Sequence, residues 1–247
     1  MKTIKVLHLY YDLMNLSGDS GNLTAIIEGL KKQNVKYTVD YLSINNKIKF
    51  NKYDIVYIGH GSTPNQEIVR KDILKYKKDI NEYIKSGAYL IATGNSYELF
   101  GHSINDKKAL GIFNFNTTEV DYKLPYNIAL SHDNRLVSEV LYKIKGFEHP
   151  IIGFINHGNE NNNKENILFD CIQGFGSNSK AKTEGIHKYH FYGTYVLGPL
   201  LIRNPYLLDK MIKDILDTNA IPYTDITNTT QYKAYNEYLN NFNIKEQ

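Results

Sequence analysis

Cysteine is almost missing from this sequence: Cys171 is the sole thiol among 247 residues. That excludes an intramolecular disulfide framework and a thiolate-rich metal site. Charge of one sign is not in excess either. Lys and Arg number 29 against 26 Asp and Glu, a net charge of +3 that is too small to argue for nucleic acid as a partner. No stretch has the length and apolarity of a membrane span. The opening residues Met1-Lys2-Thr3-Ile4-Lys5-Val6-Leu7-His8 are strand-like and lack the apolar region and cleavage site of a secretory signal, so a cytoplasmic protein is expected. No linker rich in Pro, Gly or Ser divides the chain, and no internal repeat is visible. The excess of Lys over Arg, with abundant Asn, Ile and Tyr, has the look of an AT-rich bacterial genome and carries no chemistry.

What is present is enough apolar material, 42% of residues, for one substantial core. Lys5 to Tyr10 reads as a strand, Leu23, Ile26, Ile27 and Leu30 recur at helical spacing, and Val35, Tyr37, Val39 and Tyr41 alternate as in a strand with one buried face. Asp54 to Ile58 is a short apolar strand. Glu67 to Lys85 carries Ile73, Tyr76, Ile80 and Ile84 on one helical face and stops at Ser86-Gly87. A strand over 88–93 and a helix beginning near Ser96 complete a β-α-β-β-α-β-α series, which predicts a largely parallel sheet with helices on both faces. From about Gly111 to Tyr195 the pattern becomes strand-rich, with Asn159 to Asn166 read as an exposed loop. Tyr206 to Leu216 is helical. A domain over 1–218 is expected, followed by a polar tail or helix over 219–247.

The segment Ala92-Thr93-Gly94-Asn95-Ser96-Tyr97-Glu98-Leu99-Phe100-Gly101 directly follows the apolar run Ala88-Tyr89-Leu90-Ile91. A strand that breaks sharply into a helix is where layered α/β hydrolases and amidotransferases hold a nucleophile, because the turn lifts one side chain above the sheet and aims backbone N–H groups at the same point. Here the apex is Gly94, without a side chain.

Four motifs carry a family resemblance. The turn is similar to a pattern that runs Cys-Gly-Gly-Tyr-Gln-Leu-Leu-Gly. Tyr11-Asp12-Leu13-Met14-Asn15-Leu16-Ser17-Gly18-Asp19-Ser20-Gly21-Asn22 resembles Pro-Asp-Leu-Leu-Asn-Leu-Tyr-Gly-Asp-Arg-Gly-Asn, and Gly153-Phe154-Ile155-Asn156-His157-Gly158 resembles Gly-Phe-Glu-Asn-His-Gly. Gly193-Thr194-Tyr195-Val196-Leu197-Gly198-Pro199-Leu200-Leu201, with Asn204-Pro205, resembles Gly-Thr-Tyr-Leu-His-Gly-Pro-Leu-Leu followed by Asn-Pro. These are the patterns of class I glutamine amidotransferases of the cobyric acid synthase (CobB/CobQ) type, in particular the glutaminase (GatD-like) subunits of lipid II isoglutaminyl synthase. The resemblance implies a three-layer, flavodoxin-like α/β fold and a role in supplying ammonia to a Mur-ligase-like, ATP-dependent partner for cell-wall peptidoglycan amidation. It implies no cofactor.

A class I glutaminase needs a thiolate, a His to carry the proton, and backbone N–H donors for the oxyanion. By the resemblance the Cys falls on Gly94 and the His on Leu197, so neither catalytic residue is intact. A third departure is Gly59-His60-Gly61-Ser62-Thr63, where the family has a Gly-Gly-Gly-Gln-Asp-like segment. Gly59 and Gly61 survive, and the oxyanion hole is expected to persist with them. The residual pocket is expected to comprise Gly59, His60, Gly61, Ser62, Gly94, Asn95, Ser96, Tyr97, Leu197 and Gly198.

Substitutes for the dyad are few. Ser96 suits a first-turn hydrogen bond better than a nucleophile. Thr93 points into the sheet, and Cys171, in Ile167-Leu168-Phe169-Asp170-Cys171-Ile172, reads as a buried small hydrophobe. His60 is the best candidate for residual chemistry, and His157 reads as a turn-fixing residue. His187 and His190 are three apart, a spacing that puts them on opposite faces of a strand rather than on one metal. Gly18 to Asn22 lacks the Lys and spacing of a phosphate-binding loop. The expected protein is a glutamine amidotransferase-like pseudoenzyme, acting as a non-catalytic subunit or binding a small molecule more apolar than glutamine. The alternative is an active amidotransferase with an unconventional dyad built from His60, Ser96 or Cys171.

Overall fold

The computed structural model describes residues 2–120, 135–225 and 230–242. The chain opens with strand β1 (Ile4–Leu9), helix α1 (Ser20–Lys32), β2 (Tyr37–Leu42), β3 (Ile55–Ile58), α2 (Thr63–Ile73), α3 (Lys77–Lys85) and β4 (Tyr89–Thr93). The strand-rich part follows as β5 (Ser103–Ile104), β6 (Lys107–Lys108), β7 (Asn116–Glu119), β8 (Leu136–Lys143), β9 (Ile151–His157), β10 (Asn159–Asn161), β11 (Ile167–Gln173), β12 (Thr183–Lys188) and β13 (Phe191–Thr194). Helices α4 (Leu200–Arg203), α5 (Pro205–Thr218) and α6 (Thr230–Leu239) close the chain.

Nine strands form one mixed sheet in the order β2-β1-β3-β4-β13-β12-β11-β8-β9. The half from β2 to β13 is parallel and the half from β13 to β9 antiparallel. The expected parallel sheet is therefore only half of the whole, because the strand-rich second half adds on as a meander rather than through helical crossovers. A small second sheet runs β10-β7-β5-β6. The strands β3 and β4 are fully buried, as two-sided parallel strands must be, whereas β2, at the edge, is half-buried and leaves Tyr41 exposed.

Chain order reverses at β1: β2 lies on one side of it and β3 on the other. With right-handed crossovers, α1 and the α2–α3 pair fall on opposite faces, and the loops after β1 and β3 meet above the sheet at its switch point. The tight turn after β4 comes up beside them, so three carboxyl-end loops converge there.

Several elements depart from the sequence reading. The helix predicted over 67–85 is broken by a 3-10 turn at Leu74–Tyr76, yet Ile73, Tyr76, Ile80 and Ile84 all stay buried. The segment after Gly94 is a seven-residue 3-10 helix, Gly94–Phe100, rather than an α-helix. Three residues per turn stack Tyr97 over Phe100, and both are buried, Tyr97 against Phe115 and Phe100 against Phe191. The Asn-rich segment is an exposed loop only in part: Asn159–Asn161 is a strand, Asn161 and Asn163 are buried, and Asn162 with residues 164–166 remains exposed outside regular structure. The Asn163 amide donates to the carbonyls of Glu165 and Gly185, supplying hydrogen bonds that a sheet ladder would otherwise make. Beyond α5, helix α6 lays Tyr235 and the following Phe242 against Leu141 and Ile152.

Candidate functional site

Asp19 organises the convergence of loops. It is buried, its Oδ1 accepts the His60 backbone N–H at 2.9 Å, and its Oδ2 accepts that of Ser17 at 2.9 Å. The hydroxyls of Thr93 and Tyr57 also donate to Oδ1, each at 3.2 Å. One carboxylate thus ties the loops after β1 and β3 to the end of β4. Gly59 and Gly198 make this possible. A β-carbon on Gly59 would stand 2.5 Å from Asp19 Cβ, and one on Gly198 2.9 Å from Asp19 Cα.

Gly94 adopts φ +63°, the left-handed conformation of a nucleophile-bearing turn. The space its side chain would fill is taken. A β-carbon there would lie 2.6 Å from His60 Cβ and 2.8 Å from both Cγ and Cδ2 of the same ring. That ring is buried, and its Nδ1 is 2.7 Å from Ser17 Oγ. Burial, with the positive charge of Arg135 adding to it, pushes the His60 imidazole down to about 4, so it is neutral at physiological pH.

The expected oxyanion donors are also engaged. Gly61 N–H donates to Asn95 Oδ1 at 3.0 Å, and Asn95 Nδ2 returns a hydrogen bond to the Gly61 carbonyl at 2.8 Å. The neighbouring His60 N–H is held by Asp19. The glycines at 59 and 61 survive, but the N–H groups that follow β3 point at side chains of this chain, which corrects the expectation of a persisting hole.

A cavity of about 490 Å³ opens above the apex. Of the ten residues expected in the pocket, His60, Gly61, Ser62, Gly94, Asn95 and Leu197 line it. Gly59 and Gly198 instead pack beneath the Asp19 loop. Ser96 lies under the turn, its hydroxyl donating to the carbonyls of Ile58 and Thr93, and Tyr97 is buried in the core, edge-on to Tyr195. Ser62 caps α2, accepting the N–H of Asn65 at 3.3 Å. Cys171 is half-buried in β11, outside this cavity, rather than fully buried as expected. His187 stacks on Tyr192 and His190 on Tyr89, and no group of three or more His, Cys, Asp or Glu side chains suited to a metal occurs among the described residues.

The sequence reading missed the far wall of the cavity. His157 is buried and stacks on Tyr195 at 4.1 Å; its Nδ1 is 2.6 Å from the Asn159 carbonyl, and burial lowers it to about 4. Glu98 accepts from Gln66 Nε2 at 2.6 Å and from Asn159 Nδ2 at 2.9 Å, and burial raises it to about 7 against those hydrogen bonds. Arg135 and Asn156 face the same space, with Arg135 donating to the Asn156 carbonyl at 2.7 Å. The lining is mostly polar, which contradicts the expectation of a pocket made apolar by Gly94 and Leu197. The signal was present in the motifs: at 17, 60, 95 and 98 this chain has Ser, His, Asn and Glu where the family patterns have Tyr, Gly, Gly and Gln.

Comparison with known proteins shows the family and the fold. Residues 4–205 match the CobB/CobQ-like glutamine amidotransferase domain. The chain belongs to this family. It is 29% identical to the subunit GatD of the glutamine-hydrolysing lipid II isoglutaminyl synthase of Staphylococcus aureus (strain N315), over 95% of this chain and 94% of that protein. The GatD of Streptococcus pneumoniae (strain ATCC BAA-255 / R6) is 25% identical over 95% of this chain and 91% of its own. The fold matches the glutaminase domain of Trypanosoma brucei CTPS, solved with bound acivicin, at a TM-score of 0.57 and 9% identity, covering 94% and 99% of the two chains. A glutamine amidotransferase from Thermotoga maritima matches at a TM-score of 0.50 and 10% identity, covering 96% and 90%. These likenesses bear out the class I amidotransferase fold. No helix among the described residues is long and apolar enough to cross a membrane.

Proposed function

We propose that this chain is a GatD-like subunit that does not hydrolyse glutamine by the Cys–His route and serves, without supplying ammonia, as a partner of a Mur-ligase-like, ATP-dependent protein in lipid II amidation. Similarity to two GatD subunits along nearly the whole chain supports the assembly role. The observation that carries the loss of activity is the apex: Gly94 has no nucleophile, and the His60 ring fills the volume that a nucleophile would need. Leu197, in the family's His position, has no proton to exchange, and Asn95 caps the Gly61 donor. Removing both members of a nucleophile–base pair leaves roughly 10³–10⁴-fold catalysis over water, and that remainder comes from an oxyanion hole and substrate binding.

The unconventional dyads considered from sequence find little support. The Ser96 hydroxyl is committed to two backbone carbonyls and Cys171 lies elsewhere in the sheet. A second reading, retention of a small polar ligand, is favoured by the open cavity and its Arg135, Glu98 and Asn156 walls. The test has two arms. Purified protein releases no ammonia from glutamine above buffer, and tagged protein expressed in its native host brings down a Mur-ligase-like chain. Steady ammonia release sinks the loss of activity, and isolation without such a ligase sinks the subunit role.

A further inference from the structure

The cavity holds one side-chain pair that neither the family's chemistry nor the reading above uses. Ser17 Oγ and His60 Nδ1 are 2.7 Å apart, and both residues line the cavity of about 490 Å³. Both are departures from the family patterns, which carry Tyr and Gly at these places. The pair is held in register at its backbone, because the two oxygens of the buried Asp19 carboxylate take the N–H of Ser17 and the N–H of His60, each at 2.9 Å. Leu16 N–H adds a third tie to the His60 carbonyl at 2.9 Å. A hydroxyl within hydrogen-bond reach of a neutral imidazole, with both backbones fixed by one buried carboxylate and both residues lining a cavity, is an arrangement suited to an activated nucleophile.

We propose that Ser17 and His60 form a nucleophile–base pair that hydrolyses small polar acyl esters, with Asp19 as the positioning residue. Ser17 Oγ attacks the acyl carbon while its proton passes to His60 Nδ1. The carbon–oxygen bond to the leaving group then breaks, and His60 returns the proton to the departing alcohol. Water attacks the acyl-Ser17 ester, His60 takes its proton and delivers it to Ser17 Oγ, and the carboxylic acid leaves. Positive charge on Arg135, in the same cavity, opposes the negative charge that develops on the acyl oxygen. Esters fit better than amides because a weakly basic imidazole takes up little of the serine proton, enough for attack on a reactive ester whose alkoxide or phenolate leaves with little protonation, but not for an amide, whose nitrogen must be protonated before it departs. The polar walls and modest volume favour short, hydrophilic acyl groups.

This inference rests on the reading that the Cys–His route is gone, and the experiment separates the two. The full chain is treated with a small alkyl fluorophosphonate, whose phosphorus is attacked by an activated serine with loss of fluoride, and the adduct is mapped by mass spectrometry. Hydrolysis of p-nitrophenyl acetate is followed in parallel. The adduct is expected on Ser17, with labelling and ester turnover lowered about 100-fold or more in His60→Gln and unchanged in Cys171→Ala. An adduct on any other residue, no adduct, or labelling unaffected by His60→Gln overturns the proposal. Mapping in the unaltered protein decides the matter even where a variant fails to fold. Ammonia release from glutamine that persists in Ser17→Ala counts against the loss of glutaminase activity and leaves the Ser17 assignment to the adduct.

Discussion

The imidazole of His60 occupies the place of a side chain on Gly94: a β-carbon at the apex would come within 2.6 Å of His60 Cβ. The bare apex and the histidine beside it form one packing arrangement. Gly94→Cys is therefore expected to destabilise the protein by roughly 1–3 kcal/mol through overpacking alone, with strain at φ +63° adding to it. A urea unfolding curve measures this, and a variant as stable as the parent would show that His60 moves away freely.

Restoring glutaminase activity demands more than the family dyad. Gly94→Cys with Leu197→His leaves the His60 ring over the apex and Asn95 on the Gly61 N–H, so the double variant is expected to release no ammonia from glutamine. Adding His60→Gly and Asn95→Gly opens both positions, and activity is expected only there. Turnover in the double variant alone would refute the obstruction.

Asp19 is expected to be among the costliest polar residues to remove. Asp19→Ala leaves the buried N–H of His60 and the N–H of Ser17 without their acceptor, for a loss of about 2–4 kcal/mol. Denaturant midpoints measure the loss, and a change below about 0.5 kcal/mol, the usual range for surface substitutions, would show that water replaces the carboxylate.

Stability should carry a signature of Glu98. Its carboxyl is raised to about 7 in the folded protein from an ordinary value near 4.5, so between these pH values the folded state holds a proton that the unfolded state has released. The stability it confers when protonated is present below pH 4.5 and is lost as pH rises through 7, on the order of 3 kcal/mol. His60 and His157, lowered to about 4, work the other way, and their contribution is gained as pH rises from 4 to 6.5. Glu98→Gln, which keeps the acceptor for Gln66 and Asn159, is expected to gain on the parent steadily from pH 5 to 7.5 in thermal melts. A constant difference across that range would mean that Glu98 titrates normally.

Much of the fold was readable because burial leaves a period in the chain. The 3.6-residue spacing of Leu23, Ile26 and Leu30 and the unbroken apolar runs of β3 and β4 report directly on which sides face the core. The Asn-rich stretch misled, because amide side chains look the same in sequence whether they face water or, like Asn163, bond to buried carbonyls. The 3-10 form of Gly94–Phe100 was invisible for a related reason: it goes with tilted ring packing of Tyr97 against Phe115 and of Phe100 against Phe191, contacts between residues far apart in the chain.

The sequence by itself determined the family, the position of the turn after β4, and the absence of Cys and His at 94 and 197, since these are facts of residue identity within ordered motifs. Only the tertiary structure decided what replaced them. Ser17, Asp19, His60 and Gly94 are separated by up to 77 positions, and they meet because reversal of strand order at β1 brings three carboxyl-end loops to one point. Whether a histidine is a loose loop residue or fills the space above a bare turn apex depends on distances of a few ångströms across that point. Periodicity along the chain carries no record of them.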